Sequence, residues 1–191
     1  MNYHNITKCD MLNGDGLRVV LWVAGCSHHC KGCQNPQTWD CNSGIPFTDA
    51  EREEIMTELN NDWCSGLTFS GGDPLFEGNL DTIWSLIADL RQRYPNKTFW
   101  LYTGFTWEEI MATEGLRKAI VSLCDVIVDG RYVEEQRDTS LHWKGSANQR
   151  VIDVQRSISA GQVVLKKDMA DDEDSVDIST YQSPKSCTCC N

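Results

Sequence analysis

Three cysteines near residue 30 have a spacing that suits an inorganic centre. Cys26, Cys30 and Cys33 form the pattern C-x3-C-x2-C within one short segment. Such spacings let three thiolates converge on one centre from a single loop. A 4Fe–4S cluster normally takes four cysteine ligands, so three leave one iron open to another ligand. The spacing therefore favours an iron–sulfur cluster with one open iron.

A zinc site is the alternative for the same loop. Zinc needs four ligands, and the fourth would be Cys41 or a histidine. Zinc loops more often show paired C-x2-C half-sites, and no second pair lies within the predicted fold. We expect His28 and His29, which lie between the cysteines, to face solvent rather than to bind metal. Both kinds of centre remain open on spacing alone.

The other cysteines are divided between the body of the chain and its end. Cys9, Cys64 and Cys124 stand alone, as small buried residues commonly do. Ten cysteines without an export signal are unlike a secreted disulfide scaffold. Clustered cysteines in a reducing compartment more often hold metal or do redox work. We therefore expect an intracellular, cytoplasmic protein.

Length and charge exclude several classes of function. The 191 residues suffice for one domain of ordinary size. The 17 basic and 28 acidic residues give a net charge of −11, which argues against binding a nucleic-acid backbone. The sequence holds no apolar run of about 18 residues, so no transmembrane helix is predicted.

The apolar pattern predicts alternating strands and helices. Short apolar runs predict strands at 18–23, 66–70, 99–102 and 126–128, with weaker candidates at 151–154 and 163–165. Helical spacing and capping residues predict helices that begin after Thr48, near 80, after Thr106 and at 116. This alternation implies a mainly parallel sheet with right-handed crossovers. The chain is too short for a closed barrel of ~250 residues, so an α/β fold with a partial, open β/α barrel is predicted.

The last residues have a different composition from the rest. Residues 168–191 hold six acidic side chains, one base (Lys185), and three cysteines, Cys187, Cys189 and Cys190. Such a segment has too few apolar groups to order itself. We predict a domain over residues 1–167 and a disordered acidic tail over residues 168–191.

A glycine pair follows the second predicted strand. Gly71 and Gly72 could simply end that strand, as glycine pairs commonly do. They could also let a ligand approach the backbone, since ligands of such barrels lie at the carboxyl ends of the strands. Asp73 follows directly and would lie beside such a ligand.

Taken together, the cysteine loop after a strand and the later motifs resemble a known family. The C-x3-C-x2-C loop is similar to that of radical S-adenosylmethionine (SAM) enzymes, and further motifs resemble the activases of glycyl-radical enzymes. Those motifs are NGDGLR at 13–18, QNPQTWD at 34–40, SGGDP at 70–74, LYTGFTWEE at 101–109, VDGR at 128–131 and WKGSANQR at 143–150. The likeness covers about residues 1 to 166.

The resemblance implies a cofactor set and its ligands. It implies one 4Fe–4S cluster, with Cys26, Cys30 and Cys33 each bound to one iron and SAM bound to the fourth. It further implies SAM contacts from a second group of residues, among which Asp73 would accept a hydrogen bond from the SAM amine. That group comprises Gly32, Cys33, Gln34, Gly71, Gly72 and Asp73.

The resemblance also implies an activity and partners. The cluster would pass one electron to SAM, and the resulting 5′-deoxyadenosyl radical would take a hydrogen atom from a glycine of a partner enzyme. The implied partner is the glycyl-radical subunit of anaerobic ribonucleoside-triphosphate reductase. The resemblance further implies an electron donor such as flavodoxin or ferredoxin, and it allows a homodimer.

Two other functions stay open at this point. One is a radical SAM enzyme with another target, and the other is a zinc-binding interaction module without catalysis. Activases of other glycyl-radical enzymes often carry a cysteine-rich insertion after the cluster loop. Only 14 residues with one cysteine separate Cys33 from Thr48, so that insertion is absent.

Overall fold

The computed structural model describes residues 1–167, which form one seven-stranded sheet with helices. The predicted tail at 168–191 lies outside the described residues. The strands are β1 (Asn2–Asp10), β2 (Arg18–Val23), β3 (Ile45–Pro46), β4 (Gly66–Gly71), β5 (Thr98–Tyr102), β6 (Val126–Asp129) and β7 (Arg150–Asp153). The helices are α1 (Asp49–Leu59), α2 (Leu80–Arg93), α3 (Trp107–Met111), α4 (Leu116–Ser122) and α5 (Val154–Ala160).

The middle of the sheet is parallel, as predicted. The strand order is β3-β1-β2-β4-β5-β6-β7, and β2, β4, β5 and β6 pair in parallel. Their sequences are nearly continuous apolar runs, because helices cover one face and other segments cover most of the second. The carboxyl ends of these four strands therefore meet along one edge.

The two flanks of the sheet are antiparallel, which the apolar pattern of the sequence did not predict. Strand β1 pairs with β2 and also with the short β3, while β7 pairs with β6. The strand Asn2–Asp10 was missed because most of its side chains are polar and only Tyr3 within it is buried. The sheet is thus open and mixed, with a parallel centre.

The carboxyl-terminal elements differ from the prediction. The strand expected at 151–154 covers Arg150–Asp153, and Val154 begins α5. Asp153 caps that helix, since its carboxylate accepts a hydrogen bond from the backbone N–H of Arg156. The strand expected at 163–165 is reduced to a single bridge between Leu165 and Ile152.

The core lies between the helices and one face of the sheet. Alternate strand residues such as Leu21, Phe69 and Leu101 are fully buried against the helices, together with Ile83 and Ile87 of α2. The opposite face of the sheet carries a smaller cluster in which Trp100 packs against Trp143. None of the helices within residues 1–167 is long and apolar enough to cross a membrane.

Candidate functional site

The cysteine loop lies at the carboxyl ends of the parallel strands. It connects β2 to β3, and Cys26, Cys30 and Cys33 all line one cavity of about 760 Å³. Each of the three cysteines is half-buried and free of a disulfide. The loop is held at its start by two backbone bonds, Gly25 N–H to Thr38 O and Cys26 N–H to Trp39 O. The structure therefore brings the predicted ligand set to one place.

Backbone N–H groups surround the three cysteine sulfurs, and one of them donates a hydrogen bond, to Cys33. The N–H groups of His28 and His29 point at Cys26, that of Tyr132 points at Cys30, and that of Asn35 donates to Cys33 Sγ at 3.4 Å. Such donors stabilise a thiolate and tune the potential of an iron–sulfur cluster.

Two of the thiols have perturbed acidity. Burial raises the pKa of the Cys26 and Cys30 thiols, and the backbone N–H groups that point at each sulfur oppose that increase. The loss of a proton from these thiols is therefore disfavoured, and a metal centre bound as thiolate would couple its binding to their deprotonation.

The spacing of these side chains bears on the zinc alternative. Within residues 1–167, no three Cys, His, Asp or Glu side chains are arranged to hold one metal ion. A zinc site needs four ligands at roughly 2.0–2.3 Å from a single ion. The cysteine ligands of a 4Fe–4S cluster bind separate irons, so they stand further apart. The three thiols line one cavity, as the three ligands of such a cluster would.

The glycine pair lies beside the cysteine loop, and backbone packing requires both residues. Gly71 has a φ of 103°, and a Cβ there would lie 2.7 Å from the backbone nitrogen of Val23. A Cβ on Gly72 would lie 2.5 Å from the carbonyl oxygen of Gly25. Both glycines also line the cavity. They thus end the strand and leave bare backbone along one wall of the cavity.

Gln34 and Gly32 occupy different positions relative to the cavity. Gln34 lines it and lies close to Gly145, which also lines it. Gly32 is exposed with a φ of 71°, and a Cβ there would meet the carboxylate of Glu134 at 2.7 Å. The Lys31 ammonium beside it forms ion pairs with that same carboxylate and its neighbour. Gly32 therefore lets the loop pack on the segment after β6.

The predictions for the two histidines had different outcomes. His29 is exposed, as expected. The expectation that His28 faces solvent is wrong, because its side chain is only 4% exposed and its Nε2 lies 2.8 Å from Asp73 Oδ2. The signal was absent from the local sequence, since the two residues are 45 positions apart.

The predictions for the remaining cysteines also had different outcomes. Cys64 and Cys124 are buried, as predicted, whereas the same prediction for Cys9 is wrong because its side chain is exposed. Cys41 is exposed and is not among the residues that line the cavity. The predicted group Cys187, Cys189 and Cys190 lies outside the described residues.

The cysteine loop and its position on the sheet define the class of protein, which is an iron–sulfur protein with one cluster. Residues 12–152 match the family described as "4Fe-4S single cluster domain". Relatives that align with most of this chain have a more specific name than that family model. The chain belongs to the family of anaerobic ribonucleoside-triphosphate reductase-activating proteins.

Three of these relatives show how far the similarity extends. The protein of Escherichia coli (strain K12) is 42% identical over 153 residues, which are 79% of this chain and 97% of that protein. The protein of Enterobacteria phage T4 is 42% identical over 151 residues, which are 79% and 93% of the two chains. The protein of Vibrio cholerae is 40% identical over 151 residues, which are 78% and 96%.

Proposed function

We propose that this chain is a radical SAM activase that cleaves S-adenosylmethionine reductively and generates a glycyl radical on anaerobic ribonucleoside-triphosphate reductase. Its relatives carry the name of that reductase's activating protein over almost their whole length. The observation that carries the proposal is the cavity at the carboxyl ends of the parallel strands, which Cys26, Cys30 and Cys33 line together. In this proposal, residues 1–167 are a partial, open β/α barrel of the radical SAM type, acting in the cytoplasm.

In this proposal, Cys26, Cys30 and Cys33 hold three irons of one 4Fe–4S cluster. When bound, a cluster with one open iron supplies an electron that breaks a sulfur–carbon bond of SAM and yields a radical able to take hydrogen from glycine. The protein's own contribution is geometric. The backbone N–H groups that point at the sulfurs stabilise the thiolates, and the half-buried loop restricts the access of water.

SAM would bind in the same cavity. A volume of about 760 Å³ lies within the range of pockets for ligands of this size. We assign SAM contacts to Gly32, Cys33, Gln34, Gly71 and Gly72, with Asp73 beside them. The bare backbone of the glycine pair supports this assignment, because it leaves carbonyl and N–H groups uncovered along one wall. Gln34, which lines the cavity close to Gly145, would contact the adenosyl part.

The partner follows from the same proposal. The protein substrate would be the glycyl-radical subunit of the reductase, whose glycine must reach the cavity. The open sheet supports this, since a protein segment needs a wider entrance than a small molecule. We further propose that a flavodoxin or ferredoxin supplies the electron and that two copies of the chain can form a dimer.

The decisive experiment is anaerobic activation. The reconstituted protein is incubated with a reductant, SAM and the reductase, and electron paramagnetic resonance is used to detect a glycyl radical. We expect a doublet signal that requires SAM, together with 5′-deoxyadenosine in the solution. A protein that binds about four irons and cleaves SAM without forming this doublet would act on a different target. A colourless zinc protein would contradict the proposal.

A further inference from the structure

His28 lies inside the cysteine loop and is fixed on several sides. Its ring is perpendicular to that of Phe105, with centroids 4.6 Å apart and an interplanar angle of 75°. A Cβ on Gly104 would overlap the imidazole, so that glycine leaves the space which the ring fills. Only 4% of the His28 side chain is exposed, so the neighbouring groups hold the imidazole ring in its observed orientation.

The polar partner of His28 is the carboxylate of Asp73, whose capacity to accept hydrogen bonds is already filled by groups of this chain. Asp73 Oδ1 accepts from Leu75 N–H at 2.8 Å, and Thr103 Oγ1 lies 3.0 Å from both carboxylate oxygens. Asp73 Oδ2 accepts from Gly104 N–H at 3.0 Å and from His28 Nε2 at 2.8 Å. A carboxylate has about four lone-pair sites. These donors fill them and leave no site for the amine of a ligand.

This arrangement connects three separate parts of the site. Asp73 follows the glycine pair at the end of β4, and Thr103 follows the end of β5. His28 lies midway between Cys26 and Cys30. The carboxylate therefore ties the centre of the cysteine loop to the ends of two parallel strands. Because the acceptor is a carboxylate, the His28 nitrogen that faces it carries the proton.

We infer that His28 is a positioning residue for the activation reaction: its Nε2–H bond to Asp73 sets where Cys26 and Cys30 stand relative to the SAM-binding end of β4. This inference rests on the proposed function, because it assumes a cluster on the cysteines and SAM on the glycine pair. It gives Asp73 an indirect role, in which the carboxylate holds the cysteine loop rather than the SAM amine.

Removal of a residue that orients metal ligands often lowers metal affinity or activity about 10- to 100-fold. A buried pair that only stabilises the fold would behave differently, since its loss would lower the unfolding temperature of the protein without iron. The two roles can be separated by side chains of graded length. The amide nitrogen of glutamine can take the place of Nε2, whereas that of asparagine is too short to reach Asp73.

The test compares His28→Gln and His28→Asn with the wild type and with His29→Asn, a matched control at the exposed neighbour. Three quantities are measured on the chain alone: the unfolding temperature without iron, the iron bound after anaerobic reconstitution, and the SAM concentration that half-changes the resonance spectrum of the reduced cluster. We expect His28→Gln and His29→Asn to resemble the wild type. We expect His28→Asn to keep its unfolding temperature but to require at least about tenfold more SAM or to lose iron.

Two results would overturn the inference. One is His28→Asn with the iron content and SAM response of the wild type. The other is a loss of folding in the iron-free His28→Asn protein, which would make the pair a stabilising element only. A wild-type cluster that does not respond to SAM would instead contradict the proposed function. The two failures are therefore distinguishable without the reductase.

Discussion

Gly72 passes so close to Gly25 that a Cβ at Gly72 would lie 2.5 Å from the Gly25 carbonyl oxygen. The two residues belong to different strand ends, one after β2 and the other after β4. Backbone bonds join the same segments, since Gly72 N–H donates to Val23 O and Asp73 N–H donates to Gly25 O. The beginning of the cysteine loop is thus seated directly on the glycine pair.

This contact predicts the effect of a single methyl group. We expect Gly72→Ala to displace the start of the cysteine loop, because the atom that the methyl group meets is backbone and cannot rotate away. The unfolding temperature should fall by several degrees, equivalent to about 1–3 kcal/mol. Gly78→Ala is the control. A Cβ there would lie 3.1 Å from the ring of Phe76, which is a side chain and can move slightly to make room. Equal unfolding temperatures for the two variants would contradict the prediction.

The three cysteines of the loop predict an all-or-none effect. We expect Cys26→Ala, Cys30→Ala and Cys33→Ala each to abolish SAM cleavage, because two thiolates cannot hold the cluster with its open iron. Cys41→Ala, which removes an exposed thiol outside the cavity, should cleave SAM normally. The measurement is 5′-deoxyadenosine formed under reducing, anaerobic conditions. Full activity in any of the first three variants would remove that cysteine from the ligand set.

Arg18 predicts a large effect far from the cysteines. The side chain is fully buried, and its guanidinium donates to Thr68 Oγ1, to Thr98 and to the carbonyl oxygens of Asp15 and Leu67. Burial lowers its pKa to about 10. A lysine has three donors and cannot reproduce this planar set.

We therefore expect Arg18→Lys to destabilise the fold by about 3 kcal/mol, because buried acceptors lose their partners. The matched control is Arg93→Lys, at a side chain that is 58% exposed. Denaturant unfolding measures both changes. Similar midpoints for the two variants would show that the buried charge does not organise this end of the sheet.

The cap of α1 predicts a dependence on pH. Hydrogen bonds from the Thr48 hydroxyl and backbone hold the pKa of Glu51 below its ordinary value of 4.5. A carboxyl with a lowered pKa stabilises the fold at a pH above that ordinary value, and the stabilisation is lost as the pH falls through the lowered pKa. We expect Glu51→Gln to lower the unfolding temperature slightly at pH 7, with the difference from wild type disappearing in acid. A difference that grows in acid would have the wrong sign.

The acidic end of the chain predicts no contribution to the cluster. We expect truncation after Lys167 to leave iron content and SAM cleavage unchanged, since one cysteine loop accounts for a single cluster. Cys187, Cys189 and Cys190 have a spacing unlike ordinary metal pairs. Iron content of the truncated and complete chains, measured side by side, tests this. Loss of about half the iron would show a second centre in the removed residues.

The sequence predicted those parts of the fold that local patterns specify. The four parallel strands are short apolar runs, and the cap of α1 is formed by Thr48 and Glu51, which are three positions apart in the sequence. Strand β1 was missed because its pairing with β2 is supplied by the backbone rather than by an apolar pattern. Helix α5 was missed because Val154 resembles a strand residue, and only the cap at Asp153 indicates a helix.

The candidate site shows the same division. The cysteine spacing and the glycine pair could be read directly, because each lies within a few residues of sequence. The burial of His28 could not, since it depends on Asp73, on Thr103 beyond it and on the space at Gly104. Contacts between distant segments decide which polar side chain faces solvent.

The strand pairing around the cysteine loop determines what holds the loop closed. Strand β1 pairs with β2 before the loop and with β3 after it, so one strand holds both ends. Further backbone bonds fix the loop at Gly25 and Cys26. Small zinc domains, in contrast, unfold when the metal leaves. In this chain the two ends of the loop are joined by strand pairing, so the fold does not need a metal to bring them together.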